Sequence, residues 1–157
     1  MLIGVVSDTH LKRPDNRFFQ LTEAYFKNCD FILHAGDIVD IDIFFGVNKK
    51  IYAVKGNMDI GVDLPIKRII EVEMVKIGLI HGYGPPSGIQ KRVLSEFEDV
   101  DCIVFGHTHY PLIERVNNIL LFNPGSAFDG RYGFSSSIGY IEVNGRNMKT
   151  ALKELSW

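Results

Sequence analysis

Residues 2–10 read LIGVVSDTH, in which four aliphatic residues and a glycine are followed at once by a polar cluster. A short apolar run of this kind is typical of a strand that is buried on both faces of a sheet. Similar runs occupy residues 30–33 and 51–54. Between the first two runs, residues 16–27 carry apolar side chains near helical spacing behind an asparagine cap candidate. The beginning of the chain therefore predicts parallel strands joined by a helix, as in α/β proteins.

The remainder of the chain predicts more strands and two further helical stretches. Strand patterns cover residues 68–73, 76–80, 102–105, 112–116, 119–122, 137–143 and 148–155, and helical patterns cover residues 41–47 and 89–97. No linker or internal repeat interrupts them. We expect one α/β domain over residues 1–157, built as four layers: two mixed sheets packed together, with helices outside.

Composition excludes several classes of protein. The chain has 157 residues, of which 46% are hydrophobic and 23% charged, as in ordinary globular domains. Seventeen basic and nineteen acidic residues leave a net charge of −2, which gives no basic surface for nucleic acid. The sequence predicts neither a membrane span nor a signal peptide, so we expect a cytoplasmic protein. Cys29 and Cys102 are expected to be free, buried thiols.

Polar side chains that bind metals follow five of the predicted strands. In an extended backbone, residues two apart point to the same side, so such pairs could converge on a metal ion. The carboxyl ends of strands in an α/β sheet are also where ligands usually bind. The side chains concerned are Asp8 and His10, His34 and Asp37, Asn57 and Asp59, His81, and His107 and His109.

Each of these segments alone is more typical of a turn or a hydrogen-bonded loop than of a metal site. Together they favour a metal site, because four of the five histidines occupy ligand-like positions and glycines accompany several of them.

The order Asp8-x-His10, Gly36-Asp37, Gly56-Asn57-x-Asp59, His81-Gly82 and Gly106-His107-x-His109 resembles the calcineurin-like metallophosphoesterase superfamily. The resemblance covers nearly the whole chain. The small size and Asn123-Pro124-Gly125-Ser126 resemble most closely the compact bacterial and archaeal phosphodiesterases of the YfcE type. This resemblance implies an αββα sandwich, the metallo-dependent phosphatase fold, with a dinuclear metal site.

The resemblance also implies a ligand set. Asp8, His10 and His109 would hold a first metal ion, Asn57, His81 and His107 a second, and Asp37 would bridge them. Donors without thiolate suit Mn²⁺, our first choice, and also Ni²⁺, Fe²⁺, Co²⁺ or Zn²⁺. Asp37, Asn57 and His81 would then act in catalysis through a metal-bound hydroxide and by positioning the phosphate. Two carboxylates and two divalent ions give this centre a charge of about +2, which suits an anionic phosphodiester.

Met58 departs from the more common Gly-Asn-His motif of the superfamily. The histidine at that position is thought to assist the leaving group, whereas a thioether cannot donate a proton. We therefore expect a preference for aryl phosphodiesters over alkyl phosphomonoesters.

Weaker predictions concern residues near these motifs. Asp59 is expected to orient a ligand or to cap its own turn, and His34 to support the site from the core. Turn roles are favoured for Asn123 and Ser126, and exposed loop positions for Tyr83 and Arg131. The four aromatic residues expected in the core are Phe18, Phe19, Phe44 and Phe45.

Two other functional classes stay open at this point. The superfamily fold also occurs in a retromer subunit, so a noncatalytic protein-interaction scaffold is the main alternative. A phosphoprotein phosphatase or a nuclease could use the same centre. The expected partner is a small phosphodiester substrate, with no nucleic-acid surface and no membrane, and a homo-oligomer is in keeping with compact relatives.

Overall fold

The computed structural model describes residues 1–156, and Trp157, the last residue of the predicted domain, lies outside the described residues. The first sheet contains five strands in the order β10-β9-β1-β2-β3. Strands β1, β2 and β3 run parallel, and β9 and β10 run antiparallel to their neighbours. In chain order the strands are β1 (Leu2–Val6), β2 (Phe31–His34), β3 (Lys50–Ala53), β9 (Ser137–Asn144) and β10 (Asn147–Glu154).

The second sheet also contains five strands, in the order β4-β5-β6-β8-β7. Its central strands β5, β6 and β8 are parallel, while β4 and β7 at the edges are antiparallel. In chain order these strands are β4 (Lys67–Val72), β5 (Val75–Ile80), β6 (Cys102–Val104), β7 (Leu112–Val116) and β8 (Ile119–Asn123). Both sheets are mixed, as predicted.

Three hydrophobic clusters lie between the four layers and pack them together. The central cluster joins the inner faces of the two sheets and includes Val5 and Phe122. A second cluster packs helix α1 (Arg17–Tyr25) and a 3₁₀ helix (Ile41–Phe44) on the outer face of the first sheet. A third packs helix α2 (Ile89–Ser95) on the second sheet. The predicted fold class, an αββα sandwich of two mixed sheets, is confirmed.

Two of the four phenylalanines predicted in the core are exposed instead. Phe18 is fully buried and Phe44 packs half-buried beside it. Neighbouring residues of a helix point about 100° apart, so Phe19 faces solvent when Phe18 faces the sheet. Phe45 follows the end of the 3₁₀ helix and is 79% exposed, with the Arg13 guanidinium 5.2 Å from its ring centroid.

The start of α1 also differs from the prediction. Asn16 precedes the helix but makes no side-chain capping bond. The Asp15 carboxylate accepts a hydrogen bond from the backbone N–H of Arg17 instead, at 2.8 Å. None of the helices within residues 1–156 is long and apolar enough to cross a membrane.

Gly139 in β9 allows the two sheets to approach each other. A Cβ atom at this position would overlap the ring of Phe122 in the opposite sheet. We expect Gly139→Ala to lower the free energy of unfolding by about 1–3 kcal/mol, as overpacking of a core does. Urea denaturation of the purified variant measures this loss, and Ala151→Ser on the exposed part of β10 is the matched control. A Gly139→Ala protein as stable as the control would contradict this account of the sheet interface.

Candidate metal centre

The two sheets meet at the carboxyl ends of β1 and β6. Gly106, just after β6, donates a backbone hydrogen bond to His81 O at 3.0 Å. A Cβ atom at Gly106 would overlap Ser7 Oγ and lie 2.6 Å from Asp8 Oδ2. The next N–H, that of His107, donates to Asp8 Oδ2 at 3.0 Å. Glycine at position 106 is therefore what allows the loop after β6 to reach the loop after β1.

A first group of donor atoms consists of Asp8, His10 and His109. Asp8 Oδ1 lies 3.3 Å from His109 Nε2 and 3.8 Å from His10 Nε2. The two Nε2 atoms are 3.3 Å apart. These three side chains can converge on one metal ion. They are the residues predicted to hold the first metal.

A second group surrounds the side chain of Asn57. Asn57 Oδ1 lies 3.0 Å from His81 Nε2 and 3.0 Å from His107 Nδ1. Asp37 Oδ2 is 3.4 Å from His81 Nε2 and 3.7 Å from His10 Nε2, so it lies between the two groups. The structure thus brings all seven predicted ligands together, with the Asp37 carboxylate between the two groups.

Backbone carbonyl groups fix which ring nitrogen of three histidines faces the centre. His81 Nδ1 lies 2.7 Å from Ala35 O, and His109 Nδ1 lies 2.8 Å from Asp129 O. His107 is bound through the other nitrogen, Nε2, to Gly84 O at 2.8 Å. A carbonyl only accepts, so each of these nitrogens carries its hydrogen there. In the neutral ring the inner nitrogen then presents a lone pair, as metal ligation requires.

Asp8 supplies the test of whether a cation fits. Its Oδ2 accepts hydrogen bonds from Ser7 Oγ at 2.6 Å and from the N–H of His107. Its Oδ1 is buried and has no hydrogen-bond partner within residues 1–156. That oxygen faces the lone pairs of the inner nitrogens, and such an arrangement needs a proton or a cation between the atoms. The donor set of carboxylate, imidazole and amide therefore fits divalent metal ions.

The charges of the cluster shift its pKa values in opposite directions. Burial opposes ionisation of Asp8 and Asp37, but the neighbouring rings of His109 and His81, together with the hydrogen bonds from Ser7 Oγ to Asp8 and from the Met58 N–H to Asp37, outweigh burial and lower both pKa values. Burial likewise opposes protonation of His81 and His109, yet the same carboxylates raise their pKa values. For His10 burial prevails, and its pKa is lowered. The carboxylates and the rings of His81 and His109 therefore favour each other's charged forms.

Five of the seven predicted ligands have a left-handed backbone conformation. The φ angles of Asp8, His10, Asp37, His107 and His109 lie between 50° and 71°. Non-glycine residues adopt this region infrequently, and such strain tends to gather at functional sites. The sequence-based reason for convergence, an extended backbone through each Asp-x-His or His-x-His, is therefore wrong. Kinks at the strand ends turn these side chains inward, and they send His107 and His109 to different groups.

Asp59 and His34 hold the loops that carry the ligands. The buried Asp59 carboxylate accepts from the N–H groups of Gly56 at 2.7 Å, Asp37 at 3.0 Å and Val39 at 2.7 Å. His34 Nδ1 accepts from the N–H of Gly36 at 3.2 Å, and its Nε2 lies 3.1 Å from Thr9 Oγ1. Asp59 therefore ties the loop after β2, which carries Asp37, to the loop after β3, which carries Asn57.

Several supporting residues were missed or underrated by sequence reasoning. Ser126, predicted only as a turn residue, donates from Oγ to Asp8 O at 2.7 Å. Asn123 Nδ2 donates to Gly106 O at 3.0 Å. Ser7 and Asp129, which no prediction included, bind the carboxylate of Asp8 and the ring of His109. Only the hydroxyl of Ser7, beside Asp8 at the end of a buried run, offered a signal in the sequence.

The residues predicted on exposed loops lie at the margin of the centre. Tyr83 donates from its hydroxyl to Glu96, and Arg131 pairs with the carboxylate of Asp129. Met58 is 48% exposed, and its backbone N–H donates to Asp37 Oδ1 at 2.8 Å. The backbone of Met58 therefore contacts a predicted ligand, and its exposed thioether has no proton to donate.

Two mixed sheets with a nitrogen and oxygen donor cluster at their shared edge define a metallophosphoesterase of the sandwich type. The chain belongs to the calcineurin-like phosphoesterase superfamily, whose domain matches residues 1–146. A probable metallophosphoesterase of Methanocaldococcus jannaschii is 45% identical over 134 residues, which are 80% of this chain and 68% of that protein.

A further relative and a solved structure share the fold. A phosphodiesterase of Methanocaldococcus jannaschii is 31% identical over 172 residues, which cover 98% of this chain and 100% of that protein. The zinc complex of Vps29 from Entamoeba histolytica has a TM-score of 0.72 at 22% identity, over 98% of this chain and 99% of that chain. The second likeness shows the fold alone.

The geometry predicts that Asp8 carries most of the metal affinity of the first group. In wild-type protein freed of metal, we expect Mn²⁺ at 100 times its Kd to raise the free energy of unfolding by about 2.7 kcal/mol. Asp8→Asn removes the charge that faces the other donors of the first group and should remove the part of this gain that comes from the first ion. Thermal unfolding with and without Mn²⁺ measures it. The exposed Asp63→Asn is the control, and equal stabilisation of both variants would contradict the site.

The buried ring of His34 predicts an acid-sensitive fold. Burial lowers its pKa to about 4, below the ordinary 6.5, so the folded state favours the neutral ring. The stability that His34 contributes is present above pH 6.5 and is lost as the pH falls towards 4. In NMR spectra of the folded protein, its ring signals should stay at their neutral positions at pH 5.5. A midpoint near 6.5 would show that the ring is not held neutral.

Proposed function

We propose that the protein is a metal-dependent phosphodiesterase that uses two divalent ions, with Mn²⁺ the first choice. The observation that carries the proposal is the buried Asp8 Oδ1, which has no hydrogen-bond partner within residues 1–156 and faces His10, His81 and His109. A protein that binds no cation gains nothing from keeping such an atom buried. The phosphodiesterase relative, aligned over nearly the whole chain, supports the substrate class.

When bound, the two ions supply Lewis acidity at the phosphoryl group and lower the pKa of coordinated water. The residues of the chain hold and orient this centre. Asp8, His10 and His109 would hold one ion, Asn57, His81 and His107 the other, and Asp37 both. The carbonyl groups of Ala35, Gly84 and Asp129 keep the three ring tautomers ready for binding. Asp59 joins the loop of Asp37 to the loop of Asn57 by accepting a backbone hydrogen bond from each.

The proposed setting is the cytoplasm, and the proposed partner is a small phosphodiester. Cys29 and Cys102 are both buried and unpaired, and burial raises their pKa values to about 11 and about 12. Free, unreactive thiols of this kind suit a reducing compartment.

Removing the central carboxylate or an inner ring should abolish catalysis without unfolding the protein. We expect Asp37→Asn and His81→Ala to lower turnover of bis(4-nitrophenyl) phosphate with Mn²⁺ by at least about 100-fold, since each removes a ligand of the centre. Circular dichroism checks that the variants fold. Met74→Ala, at an exposed turn between β4 and β5, is the control. Activity that survives both ligand substitutions would refute the site.

The exposed side chain of Met58 should determine which leaving groups are accepted. We expect the wild type to cleave aryl diesters in strong preference to alkyl monoesters, because position 58 offers no proton to a poor leaving group. Met58→His should raise kcat for an alkyl monoester by about 10-fold or more, with Met58→Gln as the control. Metal analysis accompanies the assay. Two bound ions with no turnover of any phosphoester would support a noncatalytic scaffold instead.

A further inference from the structure

An aromatic groove lies beside the metal centre. It has a volume of about 690 Å³, within the range of small-molecule sites. Its walls come from the start of α2, from the loop after β6 and from the segment before β9. The side chains that define it are Ile89, Phe105, Thr108, Tyr110, Tyr132 and Phe134. We refer to this feature as the aromatic groove.

The groove is continuous with the centre through the loop after β6. Thr108 lines the groove and stands between His107 and His109, whose rings belong to the two donor groups. Its hydroxyl accepts hydrogen bonds from Asn123 Nδ2 at 3.1 Å and from the N–H of Tyr110 at 3.2 Å. The same short loop thus forms one wall of each site.

Two hydrogen bonds tie the other walls to the histidines. The ring of His107 binds Gly84 O, in the segment that continues to Pro86 and Gly88 of the groove. The ring of His109 binds Asp129 O, five residues before Phe134 on the opposite wall. The walls are therefore placed by the same contacts that orient the two rings. Because the loop after β6 borders both sites, a ligand that extends from the centre over this loop would reach the groove.

The lining favours a flat ring over an aliphatic chain. The rings of Tyr110 and Phe134 pack edge to face, with centroids 4.3 Å apart. Tyr132 is 81% exposed and Tyr110 47% exposed, so both rings present open surface to a ligand. Aromatic pairs gain energy beyond the area they bury. The hydroxyl and amide groups of Thr108 and Gln90 add hydrogen-bonding partners for heteroatoms at the edge of such a ring.

We propose that the aromatic groove binds an aromatic ring carried by the phosphodiester substrate, an inference that rests on the proposed function. The recognised chemistry is a planar ring joined to a phosphate. An aryl ester and a nucleotide share it, and the groove determines the choice of substrate at a centre that otherwise recognises only the phosphate.

Calorimetry with metal-loaded protein tests the ring directly and does not depend on turnover. The probes are methyl phosphate, phenyl phosphate and thymidine 5′-phosphate. We expect at least one ring-bearing probe to bind the wild type about 10-fold or more tightly than methyl phosphate. Tyr132→Ala and Phe134→Ala should remove this advantage and leave the affinity for methyl phosphate unchanged. Tyr132→Phe should retain it, since the ring remains.

The controls separate the outcomes. Met74→Ala removes an exposed apolar side chain outside the groove and should behave as the wild type. If only phenyl phosphate binds more tightly than methyl phosphate, the groove is assigned to aryl esters. If only thymidine 5′-phosphate does so, the groove is assigned to nucleotides. Equal binding of all three probes, or an advantage that survives both alanine variants, overturns the inference. Turnover of bis(4-nitrophenyl) phosphate is assayed in parallel, and its absence beside ring-selective binding rejects the proposed function but not the groove.

Discussion

The two sheets are joined at their carboxyl ends through the carboxylate of Asp8. It follows β1 of the first sheet, yet it accepts the N–H of His107 from the second, and its main-chain carbonyl accepts the hydroxyl of Ser126. Oδ2 of the carboxylate is satisfied by the N–H of His107 and by the hydroxyl of Ser7. The other oxygen is left buried, charged and directed at imidazole nitrogens. The contact that closes the sandwich therefore also creates the demand for a cation.

Much of this arrangement could be predicted from the sequence, for a clear physical reason. Buried strands show as continuous apolar runs, and the polar residues at their ends must lie at a sheet edge, so the positions of Asp8, Asp37 and His81 followed from local pattern. A periodic pattern does not encode long-range contacts. The bond from Ser126 to Asp8 spans 118 residues, and the left-handed turns at His107 and His109 contradict the extended backbone that was expected.

The aromatic groove is a second feature that local sequence pattern does not predict. Its walls join residues 86–91 with Tyr110 and Phe134, segments that are far apart in the chain and individually unremarkable as exposed loops. The superfamily fold is shared with Vps29, so the sandwich alone does not define an activity. The proposed function rests instead on the side chains at this edge, where the donor set would bind the phosphate and the aromatic groove would bind the group that the phosphate carries.

The central claim is that seven side chains hold two ions on either side of Asp37. Anomalous diffraction from crystals grown with Mn²⁺ tests it most directly. The account predicts two peaks in the anomalous map, one within ligand distance of Asp8, His10 and His109 and one within ligand distance of Asn57, His81 and His107, with the Asp37 carboxylate contacting both. A map without peaks at these residues, or with a single peak held by other side chains, would contradict it.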